Sequence, residues 1–294
     1  MTAQFFIVDV FAERPHVGNQ LAVVLSDRAL SEERMQLLAA ETNFSETTFV
    51  APLVTECSRY RVRIFTPARE IAFAGHPILG TAWVIREFVA ERSPESLVLD
   101  LLVGPVRVNF ELGPDGRDVA WFTAPEPTLG RSHRPETLAS ALGISASDID
   151  STKPVQEVSA GVAAVIVPVR DLDALRRCRV TTEAFVKLAA LGLPSLIYFF
   201  CLNTHYAEND ICARFFFEAH GAREDPATGN GAAFLGAYLL EHRLLGASGF
   251  TLRIEQGYEV GRPSLVLLRA HEADGHREVA VGGSVVLTVR GELA

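Results

Sequence analysis

The feature that most limits how this chain can fold is a pattern that occurs twice, about half a chain apart. In the first half an extended run, Arg61 to Thr66, leads through a loop to Gly75-His76-Pro77 and then to an apolar helical run, Ile78 to Glu91. In the second, Ala213 to Phe217 leads through a loop to Glu224-Asp225-Pro226 and then to a helical run from Ala227 to His242. Both helical runs are apolar nearly all round, so neither has a wide solvent face, and each is predicted to be the buried axis of its own half. Proline is pre-organised for the first helical position, which puts His76 and Asp225 at the two N-caps. A helix enclosed by strands in each of two similar halves reads as a duplicated α+β unit, and the junction between such halves is a usual place for a ligand.

The rest of the pattern agrees with α+β. Apolar runs of strand length (Phe5 to Val10, Leu21 to Leu25, Thr47 to Val50, Tyr60 to Phe65, Leu97 to Leu102, Val106 to Phe110) alternate with few helical windows. Ser31-Glu32-Glu33 opens one helix, a hydroxyl at the N-cap and two acids in the first turn, and that helix is predicted to fade near Thr42-Asn43. Pro/Gly-rich stretches at Gly113-Pro114-Asp115-Gly116 and Ala124-Pro125-Glu126-Pro127 then interrupt the pattern. They suggest a first domain over 1–125 and a second over 126–279, with a C-terminal strand, 280–294, able to return to the first.

Composition excludes several classes. With 27 Lys and Arg against 36 Asp and Glu, the formal net charge of −9 has the wrong sign for a nucleic-acid binder. The longest nearly apolar stretch, Leu191 to Leu202, is too short to span a bilayer, and no secretory signal is legible at the N-terminus, so a cytoplasmic protein without membrane attachment is expected. Cys57, Cys178, Cys201 and Cys212 lack CxxC spacing and read as reduced, mostly buried thiols rather than metal ligands. Motifs for dinucleotides, P-loop phosphates or zincin-type metals are missing from the sequence.

Three side chains stand out chemically. The free N–H groups at a helix N-terminus suit an anion, and the small residues of Ala227-Thr228-Gly229-Asn230-Gly231 would let a carboxylate approach the backbone. His76 and Asp225 stand at two such ends, although a core histidine and a plain N-cap aspartate would explain them equally well from spacing. Glu46 lies in Phe44 to Val50, a predicted strand in which Phe44, Glu46, Thr48 and Val50 share one face. If that face is buried, desolvation moves a glutamate toward the range in which one carboxyl can both take and return a proton; a solvated strand glutamate is the other reading.

Together these residues resemble the PhzF-like isomerase family, which has the diaminopimelate epimerase-like fold. The similar segments are Phe5 to Phe11 with Gly18-Asn19-Gln20-Leu21, Asn43-Phe44-Ser45-Glu46-Thr47, Gly75-His76-Pro77, Glu224-Asp225-Pro226-Ala227-Thr228-Gly229, and Gln256-Gly257 with Gly261-Arg262-Pro263-Ser264. The resemblance implies two similar domains, each a β-barrel-like sheet around a central helix, with the active site between them, and a homodimer. It implies proton transfer without cofactor or metal, in which Glu46 removes and returns a proton on a small carboxylated substrate while His76 and Asp225 bind and orient it. Gly75 and Gly229 would offer backbone N–H groups, and Asn19, Asn230 and Gly231 would complete the binding surface.

This chain departs from the family pattern in carrying Gln20 where proline is common, and Asn230-Gly231 where Ser-Ala is common. The second change puts a longer amide at a ligand-facing position, which bears on substrate choice. Racemases of this fold generally use a cysteine pair at the helix ends, and no cysteine falls in either motif here. A single carboxyl serving two carbons on one face suits an allylic isomerisation. Epimerisation with a second base from Asp225 or His76, and a binding module without turnover, are the alternatives.

Overall fold

The computed structural model describes residues 3–51, 58–91, 93–113, 116–218, 221–246 and 248–293. Cys57 and the Pro114-Asp115 part of one expected turn lie outside them. The chain forms two compact units, one of residues 1–123 with 282–294 and one of residues 124–281.

In the first unit the predicted strands appear as β1 (Gln4–Val10), β2 (Asn19–Leu25), β3 (Glu46–Val50), β4 (Arg59–Phe65), β6 (Ser96–Leu101) and β7 (Gly104–Leu112), with the C-terminal strand Val285–Glu292 beside β1; a short β5 (Glu70–Ile71) and β8 (Asp118–Thr123) are not among the predicted strands. Helix α1 (Glu32–Thr42) begins where the sequence predicts, with Ser31 Oγ accepting from the Arg34 N–H. It stops at Asn43, which takes the left-handed conformation an asparagine tolerates. Helix α2 (Gly75–Phe88) is buried from Gly75 through Ala82 and again at Val84 and Ile85, and it packs against β1, β2, β3, β6, β7 and β8. Gly80 makes the close approach possible: a Cβ there would stand 2.6 Å from Leu21 Cδ2 and 2.8 Å from Val10 Cγ2.

The second unit holds β9 (Thr128–His133), α3 (Pro135–Leu142), β10 (Val155–Ser159), β11 (Ala163–Pro168), α4 (Leu172–Arg177), α5 (Thr182–Ala190), β12 (Leu196–Cys201), β13 (Ile211–Glu218), β14 (Ala222–Asp225), α6 (Gly229–Glu241), β15 (Gly249–Gln256) and β16 (Ser264–Ala273). Helix α6 packs against β9, β10, β11 and β16, while α3, α4 and α5 cover the other face through Ile197, Phe199 and Phe216.

Strand pairing makes the duplication explicit. In the first unit the order from the C-terminal strand through β1, β2, β3, β4, β6 and β7 runs antiparallel, antiparallel, parallel, antiparallel, parallel, antiparallel. In the second, β9, β10, β11, β12, β13, β15 and β16 repeat that series, and β14 sits on β13 as β5 sits on β4. Each unit is thus an α+β sheet wrapped on one central helix.

The repeat corrects one expectation. His76 and Asp225 are not the two N-caps, and Pro77 and Pro226 are not equivalent. Helix α2 is capped by Ala74, so His76 lies inside its first turn; α6 is capped by Thr228, and Asp225 is the last residue of β14. Three residues separate β5 from α2 and β14 from α6, so His76 corresponds to Asn230 and Asp225 to Ile71. The register agrees, because Ile64 pairs with Ile71 as Phe215 pairs with Asp225. Proline is tolerated anywhere in a first helical turn, whose N–H groups have no intrahelical partner, and in the extended link before it, so its position did not fix the helix start. Among the described residues no helix is long and apolar enough to cross a membrane.

Candidate functional site

In the first unit, Glu46 opens β3 beside Leu21 of β2, and Thr48 two residues on shares a 2.7 Å hydroxyl–hydroxyl hydrogen bond with Thr81 of α2. That bond ties the strand to the helix that carries His76. The result is a contact between groups thirty residues apart in the chain: His76 Nε2 lies 3.3 Å from Glu46 Oε2. Both are largely covered, with 5% of the histidine and 16% of the glutamate side chain exposed.

Burial pushes the His76 ring down to about 3, against a smaller opposing effect of the Gln20 backbone, so the imidazole is neutral. On its other side the Asn19 amide nitrogen lies 3.3 Å from Nδ1. The Gln20 backbone also hydrogen bonds the ring, whereas no hydrogen bond forms between His76 Nε2 and Glu46 Oε2 at their 3.3 Å separation. With the ring neutral, the pair is a carboxylate beside an uncharged imidazole rather than an ion pair. Asn19 orients the histidine. Gly75, the first residue of α2, places its N–H among the groups that have no partner within the helix.

In the second unit Asp225 is also buried, and its Oδ2 accepts from the Thr228 hydroxyl at 2.5 Å. Gly229 and Asn230 occupy the first turn of α6, as Gly75 and His76 do in α2. Gly231 has a packing reason to be glycine, since a Cβ would meet the Tyr198 ring at 2.5 Å. By register Tyr198 corresponds to Thr48, and Gly231 to Pro77, so a larger strand side chain is matched by a smaller helical one.

Several supporting residues were not singled out as such from the sequence. Arg214, buried on β13, holds Glu224 through two hydrogen bonds of 2.8 and 2.6 Å and donates to the carbonyls of Leu175 and Cys178 at the end of α4. It therefore braces β14 immediately before Asp225. One charge inside Ala213-Arg214-Phe215 was the available signal. Gln256, at the end of β15, donates to the Asp225 carbonyl, a long-range contact with no local signature.

One group has metal-ligand chemistry: donor atoms of His205, Cys212 and Glu255 lie within 4.8 Å of one another. Its carboxylate is already engaged, accepting from the N–H groups of His205 and Tyr206 and from Asn209 Nδ2 and lying 2.8 Å from His205 Nδ1. Burial holds the Cys212 thiol above its ordinary range. The cluster works as a clamp on the turn after β12. Cys178 and Cys201 are likewise free and buried.

The chain is similar to known proteins along nearly its whole length. Residues 8–291 match the family described as phenazine biosynthesis-like protein. An uncharacterized isomerase of Mesorhizobium japonicum is 36% identical, over 99% of this chain and 99% of its own. The trans-2,3-dihydro-3-hydroxyanthranilate isomerase of Pseudomonas aeruginosa is 36% identical, over 95% and 94%. Among solved structures, a PhzF-family phenazine biosynthesis protein of Bacillus anthracis superposes with a TM-score of 0.89 at 27% identity, covering 100% of this chain and 99% of that one.

Proposed function

We propose that this chain, which belongs to the phenazine biosynthesis-like family of isomerases, moves a proton between carbons of a small carboxylated, cyclic or amino-bearing substrate with Glu46 as the one acid/base. The observation that carries the reading is the 3.3 Å approach of the neutral His76 Nε2 to the Glu46 carboxylate in a largely buried setting. A carboxylate removed from water is a stronger base toward carbon, and an uncharged imidazole beside it does not neutralise it as a cation would.

In this reading Glu46 takes the proton from one carbon, and the resulting carbanionic charge spreads onto the substrate's unsaturated system. The same carboxyl then returns the proton to a second carbon on the same face. His76 takes no proton, because burial keeps its ring neutral throughout the working range; its Nε2 faces the carboxylate. The N–H groups of Gly75 and Gly229, at the starts of two helices, supply donors for an anionic substituent. Asp225 and Asn230 orient the substrate by hydrogen bonding. The chemistry asks for no cofactor or metal, because abstraction and return use one group and change no oxidation state.

The test is proton–deuterium exchange by NMR with wild type and Glu46→Gln, using dihydro-hydroxyanthranilate and a panel of small amino and cyclic carboxylic acids in D2O. Deuterium delivered to a new carbon, with wild type only, supports the isomerase. Deuterium at one stereocentre, with inversion, would replace it by an epimerase, and stabilisation by ligand without exchange by a binding protein.

A further inference from the structure

Around Asp225 the directions of the hydrogen bonds made by Gln256 and Thr228 follow from groups that can act in only one way. The Asp225 carbonyl can only accept, so the atom of the buried Gln256 amide 2.9 Å from it must be the NH2. The Thr228 N–H can only donate, and it points to the other end of that amide, Oε1. The two constraints agree and fix the amide. Gln256 Nε2 also lies 3.1 Å from Thr228 Oγ1, which must therefore accept there and spend its own proton elsewhere. The recipient is Asp225 Oδ2, at 2.5 Å.

We infer that Gln256 is a positioning residue: by donating to the Thr228 hydroxyl oxygen it turns that hydroxyl's proton onto Asp225 Oδ2 and so fixes the orientation of the carboxylate.

The backbone enforces the arrangement. Gly257 has φ +83°, and a Cβ there would stand 2.4 Å from both the Pro226 and the Arg262 carbonyl oxygens. Only glycine lets the end of β15 pass this close to the Asp225-Pro226 link and bring Gln256 beneath it. Of the charged or titratable neighbours, Glu224 is engaged by Arg214, and Tyr198 interacts with Asp225 electrostatically. Neither supplies the Oδ2 contact.

The inference rests on the reading of Asp225 as part of the substrate machinery, and the two can fail separately. Neutron diffraction from deuterium-exchanged crystals of the full chain should place a deuteron on Thr228 Oγ1 directed at Asp225 Oδ2, with the Gln256 ND2 group directed at Thr228 Oγ1. A deuteron on Oδ2 itself, or a Thr228 deuteron directed elsewhere, overturns the inference whether or not the protein turns anything over. In exchange kinetics, Thr228→Val should lower kcat about ten- to a hundredfold, within the range of acid–base effects, and leave KM within about threefold. Thr228→Ser should restore it, and Gln256→Met should match Thr228→Val. A folded Thr228→Val enzyme with wild-type kcat also overturns the inference. A wild type inactive on every compound overturns the proposed function and leaves the neutron result to decide this one.

Discussion

Thr48 and Thr81, both fully buried, share one 2.7 Å hydrogen bond, and that bond joins the strand that begins at Glu46 to the helix that carries His76. It links directly the elements bearing the two groups of the proposed acid/base pair. Thr81→Val should leave the buried Thr48 hydroxyl with only the Ala22 carbonyl, 3.5 Å away, at a cost of about 1 kcal/mol. Loosening the Glu46–His76 geometry should lower kcat by about tenfold, since small misplacements of reacting groups are costly. Denaturant titration and exchange kinetics measure both. Thr81→Ser keeps the bond and should keep both quantities; equal loss in the two variants would contradict the link.

Glu46→Gln replaces an acid/base by an amide of the same shape. Turnover should fall by at least about a thousandfold, in keeping with loss of a general base, while the melting temperature stays close to that of wild type. Residual activity near wild type would remove Glu46 from the proposed role.

The buried imidazole makes a prediction about acid stability. His76 is held at about 3 in the folded protein against 6.5 in an unfolded chain. Between those values the unfolded state binds a proton that the folded state does not. The contribution is therefore complete above pH 6.5 and declines as pH falls toward 3, by about 1.4 kcal/mol per pH unit. Urea unfolding of His76→Asn at pH 7, 6, 5 and 4 should show a shallower acid decline than wild type. Parallel curves would mean that the ring is accessible to protons in the folded state.

Gly231 separates packing from ligand contact. Gly231→Ala drives a Cβ against the Tyr198 ring and should destabilise by about 1–3 kcal/mol, as overpacked sites do. In a Tyr198→Thr background, which copies the smaller residue at the equivalent position of the first unit, the same change should cost no more than about 0.5 kcal/mol, because neighbouring substitutions couple. A cost that does not depend on residue 198 would place the constraint elsewhere, and lost exchange without lost stability would assign Gly231 to the substrate.

Much of the architecture was legible because it follows from local chemistry. The alternation of apolar runs located β1 to β4, β6 and β7 to within a few residues, and Ser31 and Asn43 bracket α1 by side-chain and backbone preferences that act within one turn. The apolar girth of α2 and α6 announced their burial. Pairing Pro77 with Pro226 put the internal repeat five residues out of register, because proline suits several places around a helix start. The equivalence is set instead by strand register, Ile64 with Ile71 and Phe215 with Asp225.

The sequence by itself therefore determined the element types, the two-helix duplication and the identities of Glu46, His76 and Asp225 as chemically unusual residues, since period, capping and composition are short-range properties. Tertiary structure alone decided what surrounds them. It brought Asn19 and Glu46 to opposite nitrogens of His76, desolvated that ring enough to keep it neutral, and set Gln256 under Asp225. Those contacts join residues 30 to 57 positions apart, and hydrogen-bond direction and desolvation depend on which atoms meet in space, which no local pattern encodes.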